Sequence, residues 1–387
     1  MAEQFTGYAS LIEHPLYRNG GEVYIKHNGI PEEKIHSYLE DATELPLYFD
    51  ENGILTFRSS LDLYNLPSRK IIPTIAREIG MYMNLTQKSV WKGHYGLFNE
   101  HRVPHVSKIA HDSSSLLQEL GSPQETIDNA QIVGMLHDTG NLLMREEHER
   151  LGGHLAVTMY PSIANDPERG MNIVGSITHH NEGFYKNIRN YAGMPFHVRQ
   201  HTLQNMFTDT SAAVLVADKA DIGRGRISRH ARNPETIDKH IHSEVNLHAE
   251  SQGLAYIPDN KTLVWNLQYN PYITLQEARQ FGNLIAGQNE DGRYIAYASS
   301  VMRSSEGLQA DYYKVLGENL KLYGPHRGHS VSRFGLMADA ALTMPGVDQF
   351  VIYYNDPEEN HEPVEFVFNP DTADYVQQQM IELAESV

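Results

Sequence analysis

The sequence predicts a mainly α protein: a helical bundle core, an α+β C-terminal region and a mixed N-terminal region. Three observations predict it. Between about residues 90 and 250, apolar residues recur at helical spacing in one segment after another. After about residue 255, short stretches alternate apolar and polar residues, flanked by Asn, Pro and Gly. Before about residue 88, short alternating pieces mix with helical ones in a part rich in Tyr, Leu and Pro. A chain of 387 residues is long enough for two or three domains. The expected divisions are 1–88, 89–254 and 255–387.

In the first region "GEVYIKHNG" and "GILTFRSS" read as extended, and "PEEKIHSYLEDA" and "PSRKIIPTIAREIGMYMNL" as helical. The middle region opens with "VPHVSKIAHDSSSLLQELG", where Val106, Ile109, Ala110, Leu116 and Leu117 share a face and Gly121 is a stop signal. "SPQETIDNAQIVGMLHD" starts with Ser122 as N-cap and Pro123 as first helical residue. "EEHERLGGHLAVTMY", "PERGMNIVGSITHH" and "TDTSAAVLVADKADI" continue in the same style. The last is apolar all through its middle, as a helix at the centre of a bundle would be. In the third region "KTLVWNLQYN", "GRYIAYASSVM", "QFVIYYND" and "PVEFVFNP" read as strands. "LQEARQFGNLIAG" and "ADYYKVLGENLKLYG" read as helices between them.

Composition narrows the chemistry. With no cysteine there are no disulfides, thiolate nucleophiles, zinc fingers or iron–sulfur clusters. A metal site would use His, Asp or Glu, which suits Mn, Fe, Mg, Co, Ni or Zn. The net charge of −18 argues against a partner as long and anionic as a nucleic acid. The first ten residues, MAEQFTGYAS, lack a basic stretch followed by an apolar one, so no signal peptide is expected. No run approaches the length of a transmembrane helix. A cytoplasmic protein without a membrane partner is the expectation, and the C-terminal region is a candidate surface for homo-oligomer formation.

The chain holds 21 histidines, concentrated between His94 and His201. Each helix of the middle region carries His or Asp near an end: His101 and His105, His137 and Asp138, His148 and His154, His179 and His180, and Asp218. A lone histidine on a helix is more often a surface or satisfied core residue, and an Asp beside Lys219 can simply be ion-paired. An ordered series of such residues, each after an apolar helical segment, is much harder to reach by chance. A bundle can aim imidazoles and carboxylates from several helices at one metal position.

The series His105, His137-Asp138, Asp218 resembles that of the HD superfamily of metal-dependent phosphohydrolases. "RVPHVSKIA" looks like the first helix of that fold, and "GMLHDTGN" like its signature "LLHDIGK". "HERLGGHLA" and "ITHHNEG" resemble the segments that add ligands in two-metal members. "VLVADKADIGRGR" resembles the helix with the last aspartate, followed by arginines. The likeness covers about residues 95–250 well and 250–325 weakly.

The resemblance implies an HD-type bundle core holding one or two divalent ions. Core ligands would be His105, His137, Asp138 and Asp218, and a second ion would take His148, His179 and His180. His101 sits where some members have an extra acidic ligand, and His154 is the alternative to His148. The implied reaction is hydrolysis of a phosphate ester or anhydride of a nucleotide or related small molecule, by metal-activated water. Asp138 would bridge the ions or take the water's proton. Asn141 stands where the family often has a lysine near the substrate phosphate. Phosphate contact would then pass to Lys219, Arg224 or Arg226; cations at a helix C-terminus are also favoured without any substrate. "NEGFYKNIRN" lacks the GYP motif of cyclic-di-GMP phosphodiesterases. Two other readings of the same residues are an HD-type di-iron oxygenase and a non-catalytic nucleotide-binding sensor.

Overall fold

The computed structural model describes residues 47–49, 55–89, 102–142, 148–180, 194–227, 246–281, 285–288, 291–296, 322–323, 331–357 and 362–386. The "GEVYIKHNG" and "PEEKIHSYLEDA" segments, and His101, lie outside them. The described protein is mainly α, with a four-stranded sheet in its C-terminal region. Among its helices, none is long and apolar enough to cross a membrane.

A short hairpin, β1 (Leu47–Phe49) and β2 (Leu55–Phe57), precedes helix α1 (Ser68–Ser89). Ile71, Ile75, Ile79 and Tyr82 form the buried stripe of α1. Next come α2 (Val103–Glu119), α3 (Gln124–Leu136), α4 (His148–Met159), α5 (Pro167–His179), α6 (Phe196–Gln204) and α7 (Asp209–Ala220). The turn from α2 to α3 follows from its glycine. Gly121 has φ +72°, and the amides of Gly121 and Ser122 bond back to the carbonyls of Gln118 and Leu117. This is the two-bond glycine cap of a helix C-terminus. Because Ser122 is used there, it does not cap α3 as its sequence suggested. Pro123 takes the cap position, with no side-chain hydrogen bond.

The C-terminal region holds β3 (Ala249–Ile257), β4 (Thr262–Tyr269), β5 (Tyr272–Ile273), α8 (Leu275–Ala278), β6 (Ile285–Gln288), β7 (Tyr294–Ala296), β8 (Leu322–Tyr323) and β9 (Val331–Ser332). It ends with α9 (Arg333–Ala341), β10 (Gln349–Asn355), β11 (Val364–Phe368) and α10 (Ala373–Ser386). The main sheet runs β11-β10-β4-β3, antiparallel except for the parallel β10–β4 pair. The strands expected at "KTLVWNLQYN", "QFVIYYND" and "PVEFVFNP" are β4, β10 and β11, and β7 lies in "GRYIAYASSVM". "LQEARQFGNLIAG" is not one helix. Only Leu275–Ala278 is helical, closed by a capping box between Thr274 and Glu277, while Ile285–Gln288 pairs with β7 as a strand. Leu322–Tyr323, within "ADYYKVLGENLKLYG", is also a strand.

Two apolar cores meet at α7. One joins Phe57 and α1 to α2, α3, α4 and α5, and takes Val214 and Ala217 from α7. The other packs Leu263, Trp265, Leu267 and Tyr269 of β4 with Phe334 and Met337 of α9, and takes Ala213, Leu215 and Val216 from α7. A helix serving cores on both sides is apolar all round, which is why "AAVLVA" carries no polar face. The two expected divisions therefore do not separate independent cores. The line at 88/89 falls in the last turn of α1, and the line at 254/255 falls inside β3.

Candidate metal centre

Four imidazoles converge on Asp138, and each is held by its own Nδ1. His137 caps the C-terminus of α3, and its Nδ1 donates to the Gly134 carbonyl at 2.8 Å. His180 caps α5 in the same way, its Nδ1 donating to the Ile177 carbonyl at 2.6 Å. His105, in the first turn of α2, has Nδ1 at 2.7 Å from Asp221 Oδ2. His148, first residue of α4, has Nδ1 at 3.3 Å from Glu149 Oε2. Holding Nδ1 in this way fixes the tautomer and aims Nε2 inward, as in histidines that ligate metals.

The four Nε2 atoms face Asp138 from two sides. Oδ2 is 3.3 Å from both His105 and His137, and Oδ1 is 3.6 Å from His148 and 3.8 Å from His180. Asp218 Oδ1, on α7, lies 3.3 Å from His105 Nε2 and 3.9 Å from His137 Nε2. Neighbouring rings have centroids 4.8 to 5.3 Å apart. Two sets of donors can each hold a cation: His105, His137 and Asp138, and Asp138, His148 and His180, all buried, with donor atoms within 4.8 Å of one another in each set. Donors bound to one ion at about 2.1 Å are about 3.0 Å apart in octahedral and about 3.4 Å in tetrahedral geometry. The separations here run from 3.3 Å, within that range, to 3.9 Å, somewhat wider than it. His137 Nε2 is buried and makes no hydrogen bond with the protein, as suits a ligand atom.

Glycines bring these elements close. A Cβ on Gly134 would stand 2.5 Å from Ala110 Cα, so α3 crosses α2 there at backbone distance and His137 meets His105. A Cβ on Gly140 would overlap the His148 carbonyl and stand 2.6 Å from Gly152 N. The start of α4 therefore rests directly on the turn that follows His137-Asp138. In that turn Asn141 Nδ2 donates to Asp138 Oδ1 at 2.6 Å. The Asn141 amide thus holds the Asp138 carboxylate in place.

The electrostatics follow from burial and partners. Burial and the neighbouring His137 push His180 down to about 4, so it is a neutral imidazole. At His105, burial and the Arg226 charge act downward, but hydrogen bonds with Asp138, Asp218 and Asp221 outweigh them and raise it to about 9. Burial pushes Asp218 up, but Lys219, His105 and His137 hold it well below the usual carboxylate range.

The His105 shift gives a pH prediction. Its pKa lies above the ordinary 6.5, so the proton stabilises the metal-free fold fully below pH 6.5, and this contribution is lost as pH rises to about 9. A cation at Nε2 competes with that proton. The rise in melting temperature caused by Ni²⁺ should therefore grow from pH 6.5 to 9. A thermal-shift series that stays flat across this range would show that metal and proton do not share His105.

Other residues singled out in the sequence are placed differently. His179 does not join the cluster. Successive residues on a helix point about 100° apart, and with His180 turned inward the His179 ring lies beside Phe207, 6.4 Å between centroids. His154 is six residues along α4 from His148, so it points to another side of the helix and belongs to neither donor set. Lys219 Nζ pairs with Asp218 Oδ2 at 3.0 Å. Arg226 Nη1 is 3.3 Å from Asp221 Oδ2. Arg224 is bound into the C-terminal region: Nε donates to the Leu247 carbonyl, Nη2 to the Asn270 carbonyl, and Nη1 faces Glu277. Arg224→Ala should thus destabilise the fold by about 2 kcal/mol, the scale of hydrogen bonds to a charged group, and leave KM unchanged. A raised KM at parental stability would return Arg224 to the substrate side.

Asp221, Glu149 and Lys108 were missed in the sequence. The signal for Asp221 was present in "ADKAD", which repeats the acid one turn after Asp218. Searches against protein-family models, curated proteins and solved structures find no match to this chain.

Proposed function

We propose that this protein is a metal-dependent phosphohydrolase of HD type, acting on a nucleotide or a related small phosphate. The observation that carries the proposal is the convergence of His105, His137, Asp138, His148, His180 and Asp218, in the order of the HD motifs, with every imidazole presenting Nε2. His105, His137, Asp218 and Asp138 Oδ2 would hold one ion, and His148, His180 and Asp138 Oδ1 a second. Divalent ions bound there supply Lewis acidity toward phosphate oxygens and lower the pKa of a water.

The remaining work belongs to the chain. Asp138 serves both halves, and its carboxylate would either bridge two ions or take the proton of the attacking water. Asn141 fixes that carboxylate, so its two oxygens stay assigned to the two halves. Lys219 neutralises the outer oxygen of Asp218 and limits the negative charge facing an anionic substrate. Burial of the cluster excludes bulk water and strengthens each of these interactions.

The test is a nucleotide panel assayed with Mn²⁺, reading release of phosphate and of nucleoside monophosphate. Turnover that disappears with chelator and returns with metal is expected. No turnover on any phosphorylated compound, together with oxygen uptake by iron-loaded protein, would replace the proposal with the oxygenase reading. Nucleotide-dependent stabilisation without turnover would replace it with the sensor reading.

A further inference from the structure

We propose that Asp221 is a positioning residue that fixes the ring and tautomer of His105 for metal ligation, and that Arg226 and Lys108 hold Asp221 in place for this task. The inference rests on the metal reading above. Asp221 is the C-cap of α7, three residues after Asp218, and is buried. Its Oδ2 lies 2.7 Å from His105 Nδ1, a shorter carboxylate contact than the 3.3–3.9 Å ones that the cluster imidazoles make with Asp138, Asp218 and Glu149. A carboxylate accepts and does not donate, so the Nδ1 proton is kept on this side of the ring, and Nε2, 3.3 Å from both Asp138 and Asp218, is the atom a cation would take in place of a proton.

The other three histidines are anchored within their own helix ends, by the Gly134 and Ile177 carbonyls or by the adjacent Glu149. His105 sits at a helix start. At a helix N-terminus the exposed backbone groups are amides, which donate and cannot accept from an imidazole N–H. His105 is served instead from α7, across 116 residues of sequence. Each oxygen of Asp221 faces a cation: Arg226 Nη1 is 3.3 Å from Oδ2, and Lys108 Nζ, which also bonds Asp112 at 2.6 Å, is 3.4 Å from Oδ1. Lys108 lies on α2, one turn after His105, so the bracket joins the same two helices that supply His105 and Asp218 as donors. The two cations flank the carboxylate, one at each oxygen, and restrain its rotation.

The experiment measures Zn²⁺ affinity by chelator competition and records histidine ¹H–¹⁵N spectra of the zinc-loaded full chain. In the parent, the His105 Nδ1 proton should be far downfield and slow to exchange, as a proton shared with a carboxylate is. Asp221→Ala should weaken binding by about 10- to 100-fold, the usual effect of removing a partner of a ligand histidine, and lose that signal. Asp221→Asn keeps the volume and serves as the second variant should the alanine variant fail to fold. Its neutral amide should weaken binding by about 3- to 10-fold and move the proton upfield. Parental affinity and an unmoved proton in Asp221→Asn would overturn the positioning role while leaving the metal reading intact. A parent chain that binds no Zn²⁺ would overturn both.

Discussion

Asp138→Ala should remove divalent metal from both halves of the cluster and lower metal-dependent turnover by about 10⁴-fold, the size seen when a central catalytic carboxylate is deleted. The reason is geometric. Asp138 is the one residue present in both donor sets, with Oδ2 toward His105 and His137 and Oδ1 toward His148 and His180. Asp218→Ala is the matching comparison. It touches only the His105 and His137 side, so metal content should fall by one ion and not by two. The Asp138 variant should still fold. His137 and His180 remain tied to their own helix-end carbonyls, and His105 keeps Asp218 and Asp221. Elemental analysis, circular dichroism and a metal-replete assay together decide the matter. Full activity of Asp138→Ala with metal in excess would end its catalytic assignment.

The buried cluster of His105, His137, Asp138, His148 and His180 was legible because it depends on local features: apolar helical segments, each ending or starting at His or Asp. A histidine at a helix C-cap turns back to the carbonyl three residues earlier, and "GMLH" and "ITHH" both place one there. Which member of the pair His179-His180 faces inward was not legible. The two point about 100° apart, and only the neighbouring helices choose between them. The setting of Arg224 was not legible for a related reason. Its acceptors at Leu247, Asn270 and Glu277 are 23 to 53 residues away, so a cation after a helix gave no hint of them. Asp221 was visible as a repeated acid, but its target is much further off along the chain. "NLIAG" had apolar spacing compatible with a helix, and pairing with β7 made it a strand. That α7 serves two cores was not legible either. A helix apolar on every face announces burial, but not that the second core comes from a sheet built after residue 249.

Gly140→Ala should have the next largest effect, and it separates the two halves of the cluster from the opposite direction. The added methyl would overlap the His148 carbonyl and approach Gly152 N at 2.6 Å. These are backbone atoms in the first turns of α4, so no side-chain rotation relieves the clash. The helix start has to move, and His148 moves with it. His148 Nε2 is 3.6 Å from Asp138 Oδ1, and a shift of even an ångström takes it out of register with His180. The His105, His137 and Asp218 side rests on α2, α3 and α7 and is not touched. The expected outcome is a loss of about 1–3 kcal/mol in metal-free stability, the range for overpacking, with metal content reduced from two ions to one. Gly175→Ala is the control, since a Cβ there meets nothing within 4 Å on α5. It should stabilise the metal-free protein by about 0.5–1 kcal/mol through helix propensity and leave both ions bound. If Gly140→Ala keeps both its parental melting temperature and its metal content, α4 is not locked onto the turn after Asp138. The His148 half would then owe its geometry to something other than the glycine.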